Sequence, residues 1–262
     1  TTALSYDWAS SILTTTVSAS AQIEFEGKNI AIYNAIPVTF DGQFLDDFDA
    51  GLKSGWIEHP KSPPGSSRWI VQGGKYRTRE TGDNESINGC EHLKNYEVLV
   101  NIQKSTDHAE GDYFGLILRS PSDLNNATSG YYMVRVVCFS CEGTNSSNHR
   151  YRLELVDKQG SYDSVLTSVD LEPSEFSFLT GENYTLKAIV TDDILIGKFW
   201  KSSELEPSDD PEDTPKPADP PEPARNGRTI ETSNSSYSQG KIGLASNTSK
   251  NTFDNLVVKP LS

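Results

Sequence analysis

The stretch NYTLKAIVTDDILIGKFWK, residues 183–201, decides the fold class of this chain. Apolar and polar residues alternate on both sides of Asp192-Asp193, so two runs with the period of a β-strand flank a short turn. This pattern predicts an antiparallel hairpin. Gly197, within the second run, predicts a bulge or the close approach of another backbone.

The same period of two recurs along the chain, and no long segment has the spacing of an amphipathic helix. Short antiparallel strands in this number predict an all-β protein built as a β-sandwich. The predicted strands are Tyr96–Gln103, Tyr113–Arg119, Tyr131–Val137, Arg150–Lys158, Asn183–Thr191, Ile194–Lys201, Lys241–Ser246 and Thr252–Lys259.

The composition excludes some classes of partner. The 262 residues carry a net charge of −14, which disfavours nucleic acid and anionic membranes because such binding depends on lysines and arginines. No apolar run approaches the roughly 20 residues that a transmembrane helix needs. We therefore expect no nucleic-acid partner and no membrane span.

Two features favour a secreted, extracellular protein. The chain begins at Thr1 without a Met or an apolar leader, as it would after removal of a signal peptide. Six Asn-x-Ser/Thr sequons are present, mostly in stretches rich in Ser, Asn and Gly. They predict N-glycosylation at the cell surface or beyond it, at Asn84, Asn126, Asn145, Asn183, Asn234 and Asn247.

In such a protein the three cysteines, Cys90, Cys138 and Cys141, predict one disulfide and one remaining thiol. The bridge joins either Cys138 to Cys141 or Cys90 to one of them. Cys138-Phe-Ser-Cys141 also has the spacing of half a zinc site. Zinc takes four ligands, however, and the chain has no second cysteine pair.

A series of motifs runs through residues 44–262 in a characteristic order. They are Phe44-Leu-Asp-Asp-Phe-Asp49, Asp112–Arg119, Gly130–Arg135, Arg150–Leu155, Asn183–Ile189, Gly240-Lys-Ile-Gly-Leu-Ala245 and Phe253-Asp-Asn-Leu-Val-Val258. In this order they resemble the concanavalin A-like, laminin-G-type jelly rolls. That superfamily includes lectins, carbohydrate-binding modules, glycanases and adhesive modules, so the resemblance implies the fold and leaves the activity open.

Two segments depart from this resemblance. An acidic insertion at residues 204–226, with seven prolines between Pro207 and Pro223, predicts an extended, solvated loop that the acidic body repels. Residues 1–40 precede the predicted sandwich of residues 41–262 and form a separate β extension.

The N-terminal extension carries the main functional prediction. Alternation is unbroken from Leu13 to Glu26, whereas the second arm after a turn at Gly27-Lys28-Asn29 has at most 11 residues and cannot cover the first. An uncovered apolar strand is a template for pairing with another sheet. We therefore predict a donor strand that completes a neighbouring subunit and builds a homopolymer. Its apolar face consists of Leu13, Val17, Ala19, Ala21, Ile23 and Phe25.

No catalytic residue is predicted. Gln22-Ile-Glu24-Phe-Glu26 resembles the paired-glutamate motif of jelly-roll glycanases at a distance, but glutamine cannot act as the nucleophile. We expect no cofactor. A structural calcium, which the resemblance allows, would have as candidate ligands Asp47 and Asp49, which alternation places on the solvent side of an edge strand.

Two functions follow from these observations. The first is a non-catalytic secreted glycoprotein that serves as a structural subunit of an extracellular filament or cell-surface assembly, joined by donor strands. The alternative is a carbohydrate-binding or adhesion module of the concanavalin A-like class, with a polysaccharide as its partner. Its candidate stacking residues are Trp56, Trp69 and Tyr131, since alternation sends Tyr131 and Tyr132 to opposite faces.

Overall fold

A computed structural model describes residues 22–25, 28–31, 44–51, 55–59, 67–122, 124, 130–141, 149–160, 162–173, 176–209 and 227–261. The chain separates into two compact units, residues 1–43 and 44–262. Within the described ranges all regular structure is β, and no helix is present that could cross a membrane.

In the first unit the structure describes one hairpin. Strand β1 (Gln22–Phe25) pairs antiparallel with β2 (Lys28–Ala31). Phe25 lies opposite Lys28, and Lys28 and Asn29 belong to β2, so the prediction that these two residues form part of the turn is wrong. Two of the predicted donor-strand residues, Ile23 and Phe25, lie in β1. The other four lie outside the described residues: Leu13, Val17, Ala19 and Ala21.

The second unit is a sandwich of two antiparallel sheets. Its strands, in chain order, are β3 (Phe44–Asp46), β4 (Ile57–His59), β5 (Trp69–Gln72), β6 (Lys75–Thr78), β7 (Asn84–Asn88), β8 (Tyr96–Lys104), β9 (Tyr113–Ser120), β10 (Gly130–Ser140), β11 (Arg150–Gln159), β12 (Tyr162–Leu171), β13 (Asn183–Thr191), β14 (Ile194–Lys201), β15 (Arg228–Ser233), β16 (Lys241–Ser246) and β17 (Asn251–Pro260).

The strand order of the two sheets is that of a jelly roll. One sheet has the order β12-β11-β10-β9-β16-β7-β4, and the other has β15-β14-β13-β8-β17-β6-β5 with β3 paired to β17. The chain crosses from one sheet to the other between β8 and β9 and between β16 and β17, so non-consecutive strands become neighbours. The predicted all-β sandwich is confirmed, and each of the eight predicted strands is present within three residues at either end.

The hairpin of residues 183–201 forms as predicted. Thr191 lies opposite Ile194, which leaves Asp192 and Asp193 as a two-residue turn, and Asp192 has a φ of 52°. Gly197 pairs with its cross-strand neighbour without a bulge. A Cβ at this position would lie 2.8 Å from Cγ1 of Val134 in the facing sheet, so the glycine permits a close approach of the two sheets.

The core fills the space between the sheets with alternate residues of each strand. Many aromatic side chains pack in it among the aliphatic ones: Trp69 is 1% exposed and its ring lies 4.8 Å from Tyr76 and 5.8 Å from Phe253, centroid to centroid. Full burial of one such side chain stabilises the fold by roughly 1.5–3 kcal/mol. Trp69 is therefore a packing residue.

The start of the acidic insertion differs from its prediction. Oε1 of Glu206 accepts hydrogen bonds from Nζ of Lys187 at 3.1 Å and of Lys198 at 2.9 Å. Pro207 is buried, and its carbonyl accepts from Lys198 at 2.7 Å. The prediction of a solvated loop is wrong for these residues because two lysines on the eight-stranded sheet offset the local negative charge. Residues 210–226 lie outside the described ranges.

Candidate functional site

The outer face of the seven-stranded sheet, which points away from the core, carries a cluster of charged and phenolic side chains. Strand register puts them there, since residues directly opposite each other in an antiparallel pair project to one side. Arg135 lies opposite Glu154, and Lys158 lies opposite both Tyr131 and Asp163. We define the outer-face cluster as Asp83, Glu85, Tyr113, Tyr131, Arg135, Glu154, Lys158 and Asp163, with His59 at its rim.

An apolar floor supports the cluster. Its side chains, each fully buried, are Ile87, Ile117, Met133, Val156 and Ala245. Strands β9 and β16 lie between Tyr131 on β10 and Glu85 on β7, yet the tyrosine hydroxyl donates a hydrogen bond to the glutamate. A Cβ at Gly243 on β16 would lie 2.4 Å from the carbonyl oxygen of Ser86 on β7, so the glycine permits the close approach of these two strands.

Glu85 is the central acceptor of the cluster. The residue is 3% exposed, and besides the Tyr131 hydroxyl its carboxylate meets Nδ1 of His59 at 3.0 Å and Nζ of Lys158 at 4.0 Å. Burial, together with the Glu85 charge, raises the pKa of Tyr131 well above its ordinary value. The phenol therefore stays protonated and acts as a donor.

Lys158 is held by acids on two sides. Its Nζ lies 3.3 Å from Asp163 and 3.5 Å from Asp83, and its side chain is 6% exposed. Burial alone would lower the pKa of Lys158, but the surrounding carboxylates outweigh it and the pKa is raised. The Tyr113 hydroxyl donates to Asp83 at 3.0 Å, so the same carboxylate is also fixed by a neutral donor.

Arg135 completes the network. Its Nε donates to Glu154 at 2.8 Å and its Nη1 to Asp163 at 2.5 Å. The guanidinium carbon lies 5.3 Å from the centroid of the Tyr113 ring, a cation–π distance. Burial would lower the pKa of Arg135, but Glu154 and Asp163 raise it above the ordinary value.

Two acids of the outer-face cluster, Asp83 and Asp163, and His59 at its rim remain open to solvent. The side chain of Asp83 is 62% exposed, that of Asp163 30% and that of His59 27%. A ligand reaching this face meets fixed carboxylate acceptors first and the Lys158 ammonium directly behind them. Since hydrogen bonds and packing already hold these groups, binding costs little additional side-chain ordering.

The three predicted stacking residues do not form a solvent-facing platform. Trp69 and Tyr131 are 1% and 3% exposed. Trp56 is half-buried: its Nε1 donates to Asp46 at 2.9 Å and its ring packs 5.3 Å from that of Tyr76. Tyr131 lies on the outer face of its sheet, where the other members of the outer-face cluster cover its ring.

One exposed aromatic residue, Tyr162, is not indicated by any pattern in the sequence. Tyr162, at the start of β12, is 80% exposed and precedes Asp163 of the outer-face cluster. No pattern signalled it, because β12 is an edge strand whose mixed Ser, Thr and Asp content hides the alternation.

The sequons occupy different environments. Asn84 is fully buried and its Nδ2 donates to the carbonyls of Glu80 and Gly82, so in this conformation it cannot carry a glycan. The Nδ2 of Asn247 likewise donates to a backbone carbonyl, 2.8 Å away. Asn183 is exposed and Asn234 half-exposed, whereas Asn126 and Asn145 lie outside the described residues.

Of the three disulfides that the sequence allows, the structure forms Cys138–Cys141, with a Cα–Cα distance of 5.9 Å. Cys90 is a free, half-buried thiol. The bridge closes the end of β10, just before the chain turns toward β11.

The predicted edge strand does not extend to Asp47 and Asp49. Strand β3 ends at Asp46, which is buried and accepts hydrogen bonds from the Phe48 backbone at 3.1 Å and from Trp56. Phe48, at a φ of 56°, turns into the core, so Asp47 and Asp49 no longer alternate with it along a strand. Neither acid belongs to a group of metal-ligating side chains among the described residues.

Comparison with protein-family models gives no match, and comparison with curated protein sequences gives none either. Solved structures do match. The CBM2 module of the evolved Dit protein of Lactobacillus casei BL23 phage J-1 is 11% identical with a TM-score of 0.53, over 84% of this chain and 96% of that one.

A glycan-bound domain, a lectin and an enzyme match over similar lengths of this chain. The VIP36 exoplasmic/lumenal domain, bound to Ca²⁺ and Man3GlcNAc, is 11% identical with a TM-score of 0.51 over 84% of this chain and 89% of its own. Lectin II from Ulex europaeus is 8% identical with a TM-score of 0.51, over 83% and 97%.

The enzyme is a xylan beta-1,4-xylosidase from Bacillus halodurans, 14% identical with a TM-score of 0.52, over 82% of this chain and 38% of that one. Identities this low establish the architecture and leave the activity open. The chain has the concanavalin A-like jelly-roll fold.

Proposed function

We propose that this chain is a non-catalytic carbohydrate-binding module whose binding surface is the outer-face cluster. The observation that carries the proposal is the arrangement of Asp83 and Asp163, both open to solvent, around the nearly buried ammonium of Lys158. Sugar hydroxyls donate and accept at once, and charged acceptors beside a charged donor make the stronger kind of hydrogen bond to them.

The fold neighbours support this proposal without deciding it. Several are lectin or carbohydrate-binding structures, and one holds a mannose-containing glycan. Because one of the matching structures is a xylosidase, an enzymatic function is the alternative. Among the described residues of this chain the cluster offers acceptors and donors that are fixed by one another, which suits binding.

The charge of the cluster selects a class of glycan. Four carboxylates, those of Asp83, Glu85, Glu154 and Asp163, face two cations, Arg135 and Lys158. The excess of negative charge disfavours uronic acids and sulfated sugars. We therefore assign a neutral polysaccharide or glycan as the ligand.

Affinity electrophoresis against neutral and acidic polysaccharides, followed by titration calorimetry with the best binder, tests the proposal. Replacing both exposed acids, Asp83→Ala with Asp163→Ala, should weaken binding by about 100-fold or more, because each of the two lost charge-assisted hydrogen bonds is worth about 1.5 kcal/mol or more. The control is Glu182→Ala, an exposed acid paired with Lys201 of the eight-stranded sheet, which should bind as the parent does.

A chain that binds no neutral glycan, or a double variant that binds as tightly as the parent, contradicts the proposal. Thermal unfolding of each variant confirms that it is folded. Incubation of the parent with the same polysaccharides should release no reducing ends, and their release would assign an enzyme instead.

The compartment belongs to the same proposal. A disulfide between Cys138 and Cys141 and an exposed sequon at Asn183 support a secreted module acting outside the cell.

A self-assembling structural subunit is the second candidate. One observation favours it: β12 is an edge strand of ten residues that pairs only with β11 among the described strands, and Tyr162 and Val165 on it are 80% and 47% exposed. Neither sheet lacks an interior strand over residues 44–261, so a donated strand would add at an edge. No comparison supports this candidate.

Electron microscopy of the native material tests the second candidate. Filaments that disappear on removal of residues 1–26 would support it, since those residues include the predicted donor strand. Single particles from the full chain at high concentration would rule it out.

A further inference from the structure

Three soft metal ligands converge at the end of β10. Cys138 is the last inward-facing residue there, Cys141 follows the strand, and His149 precedes β11. One ligand atom from each lies within 4.8 Å of the other two. All three residues are buried, with exposures of 0%, 6% and 3%.

The hairpin geometry explains the convergence. Strands β10 and β11 pair so that Cys138 lies opposite Tyr151, two residues after the histidine. A register shift between Cys138 and Ser140 bends the end of β10. The histidine is therefore brought back to the cysteines, although seven residues separate it from Cys141.

We propose that Cys138, Cys141 and His149 form a redox-controlled zinc site, closed while the two sulfurs are joined and open to Zn²⁺ once the bond is reduced. The sequence lacked a second cysteine pair to complete a site. The fold supplies a histidine in its place, and water can take the fourth position, as in sites with three protein ligands.

The chemistry balances with a dithiol as the reductant. Thiol–disulfide exchange breaks the Cys138–Cys141 bond, transfers two electrons and two protons to the protein, and leaves the reductant as a disulfide. Zn²⁺ then binds the two sulfurs as thiolates and releases their two protons to solvent, while a neutral ring nitrogen of His149 completes the set.

Burial of the ion is tolerable because its ligands neutralise it. Two thiolates cancel the charge of Zn²⁺, so the occupied site carries no net charge into the interior. Thiolate and imidazole ligands also select zinc over calcium or magnesium, which prefer oxygen. The site is thus distinct from a calcium site of acidic residues.

Cobalt titration of the reduced full-length chain tests the proposal, because Co²⁺ replaces Zn²⁺ and reports its ligands by colour. After treatment with a dithiol and its removal under argon, we expect one Co²⁺ per chain, with a thiolate-to-cobalt charge-transfer band in the near ultraviolet and the intense visible bands of tetrahedral cobalt. Added Zn²⁺ should bleach both. The oxidised chain should show neither band.

Variants separate the histidine from the cysteines. His149→Gln should weaken cobalt binding by more than about 10-fold and shift the visible bands, whereas the matched control His92→Gln, an exposed histidine, should leave the spectrum unchanged. Cys90→Ser should also leave the spectrum unchanged, since that thiol does not belong to the group of Cys138, Cys141 and His149.

Several results would overturn the proposal: no cobalt bands after reduction, equal binding by the oxidised chain, or equal affinity in His149→Gln. Loss of the near-ultraviolet dichroism of the folded chain on reduction, with no recovery on adding Zn²⁺, would overturn it as well, since the site requires the folded hairpin.

Discussion

The outer faces of the two sheets use the same ionic chemistry and differ in what covers it. On the eight-stranded sheet, Lys187 and Lys198 bind Glu206, and the chain's own insertion begins on top of them. On the seven-stranded sheet, Lys158 binds Asp83 and Asp163, whose side chains remain open to solvent.

The comparison shows that a buried lysine can stay charged on either face when carboxylates surround it. Burial would lower the pKa of Lys187, yet the hydrogen bonds that it donates to Glu97 and Glu206 raise it, as the acids around Lys158 do on the other face. Both lysines therefore stay charged. Acids that hold a lysine are partly exposed on both faces, but on the eight-stranded face they belong to the insertion itself, whereas Asp83 and Asp163 lie on the seven-stranded face without a described segment over them.

The largest expected effect is the loss of the central acceptor of the open face. Glu85→Ala removes a buried acceptor shared by Tyr131 and His59, and it leaves the Tyr131 hydroxyl without this acceptor, while Lys158 keeps Asp83 and Asp163. We expect the free energy of unfolding to fall by about 4 kcal/mol in urea titrations. The control Glu182→Ala, an exposed pair, should cost less than about 1 kcal/mol. A loss below about 1 kcal/mol for Glu85→Ala would show that the network is dispensable.

The next largest effect is the pH dependence of stability that arises from His108, which is buried between the two sheets. Burial lowers the pKa of His108 to about 4, while Asp112 raises it and Lys104 and Lys250 lower it; Asn251 holds its Nε2 at 3.0 Å. The unfolded chain binds a proton near pH 6.5 and the folded chain does not, so stability falls as the pH drops from about 6.5 to 4.

Relative to the parent, His108→Gln should lose about 3 kcal/mol less stability between pH 7 and pH 4, measured by urea unfolding at each pH. His92→Gln, at the surface, should follow the parent. Identical pH profiles for the parent and His108→Gln would mean that the histidine is not titrating as described.

Much of the fold was predictable because alternation reports burial directly. Strands with one face in the core, such as Asn183–Thr191 and Lys241–Ser246, were predicted to the residue. Strand β12 was not, because an edge strand exposes both polar and apolar residues and loses the pattern.

The site was less predictable than the fold. Its contacts join residues far apart in the chain, such as Tyr131 and Glu85 or Lys158 and Asp83, and only the strand order brings them together. Trp69 was predicted as a surface platform since composition alone does not show which way a side chain at a strand's start projects. The disulfide pairing was likewise left open until β10 placed Cys138 beside Cys141.

The covered face should respond to the removal of one lysine. Lys198→Met cuts the contacts to Glu206, Asp209 and the Pro207 carbonyl, but the two acids are partly exposed and regain water. We expect a loss of about 1 to 2 kcal/mol and faster backbone hydrogen exchange over residues 204–209. Lys201→Met, whose pair with Glu182 is exposed, is the control and should change neither. Unchanged exchange in Lys198→Met would mean that other contacts hold the insertion.

The smallest expected effect concerns two sequons, one in each sheet: Asn183 in β13 and Asn84 in β7. Peptide mass spectrometry of the chain expressed through a eukaryotic secretory pathway should find a glycan on exposed Asn183 and none on buried Asn84. Asn183→Gln should remove one glycan and shift the free energy of unfolding by less than about 0.5 kcal/mol. Occupancy at Asn84 would require a different conformation of the start of β7.

Carboxylate footprinting in the presence of a bound neutral polysaccharide tests the central claim most directly. Carbodiimide-coupled amine labelling, read by mass spectrometry, compares each acid with and without the ligand. The account predicts that Asp83 and Asp163 become protected while Glu182 on the other sheet is labelled equally in both states. Protection of Glu182 with Asp83 and Asp163 unchanged would place the binding surface on the wrong face and contradict the account.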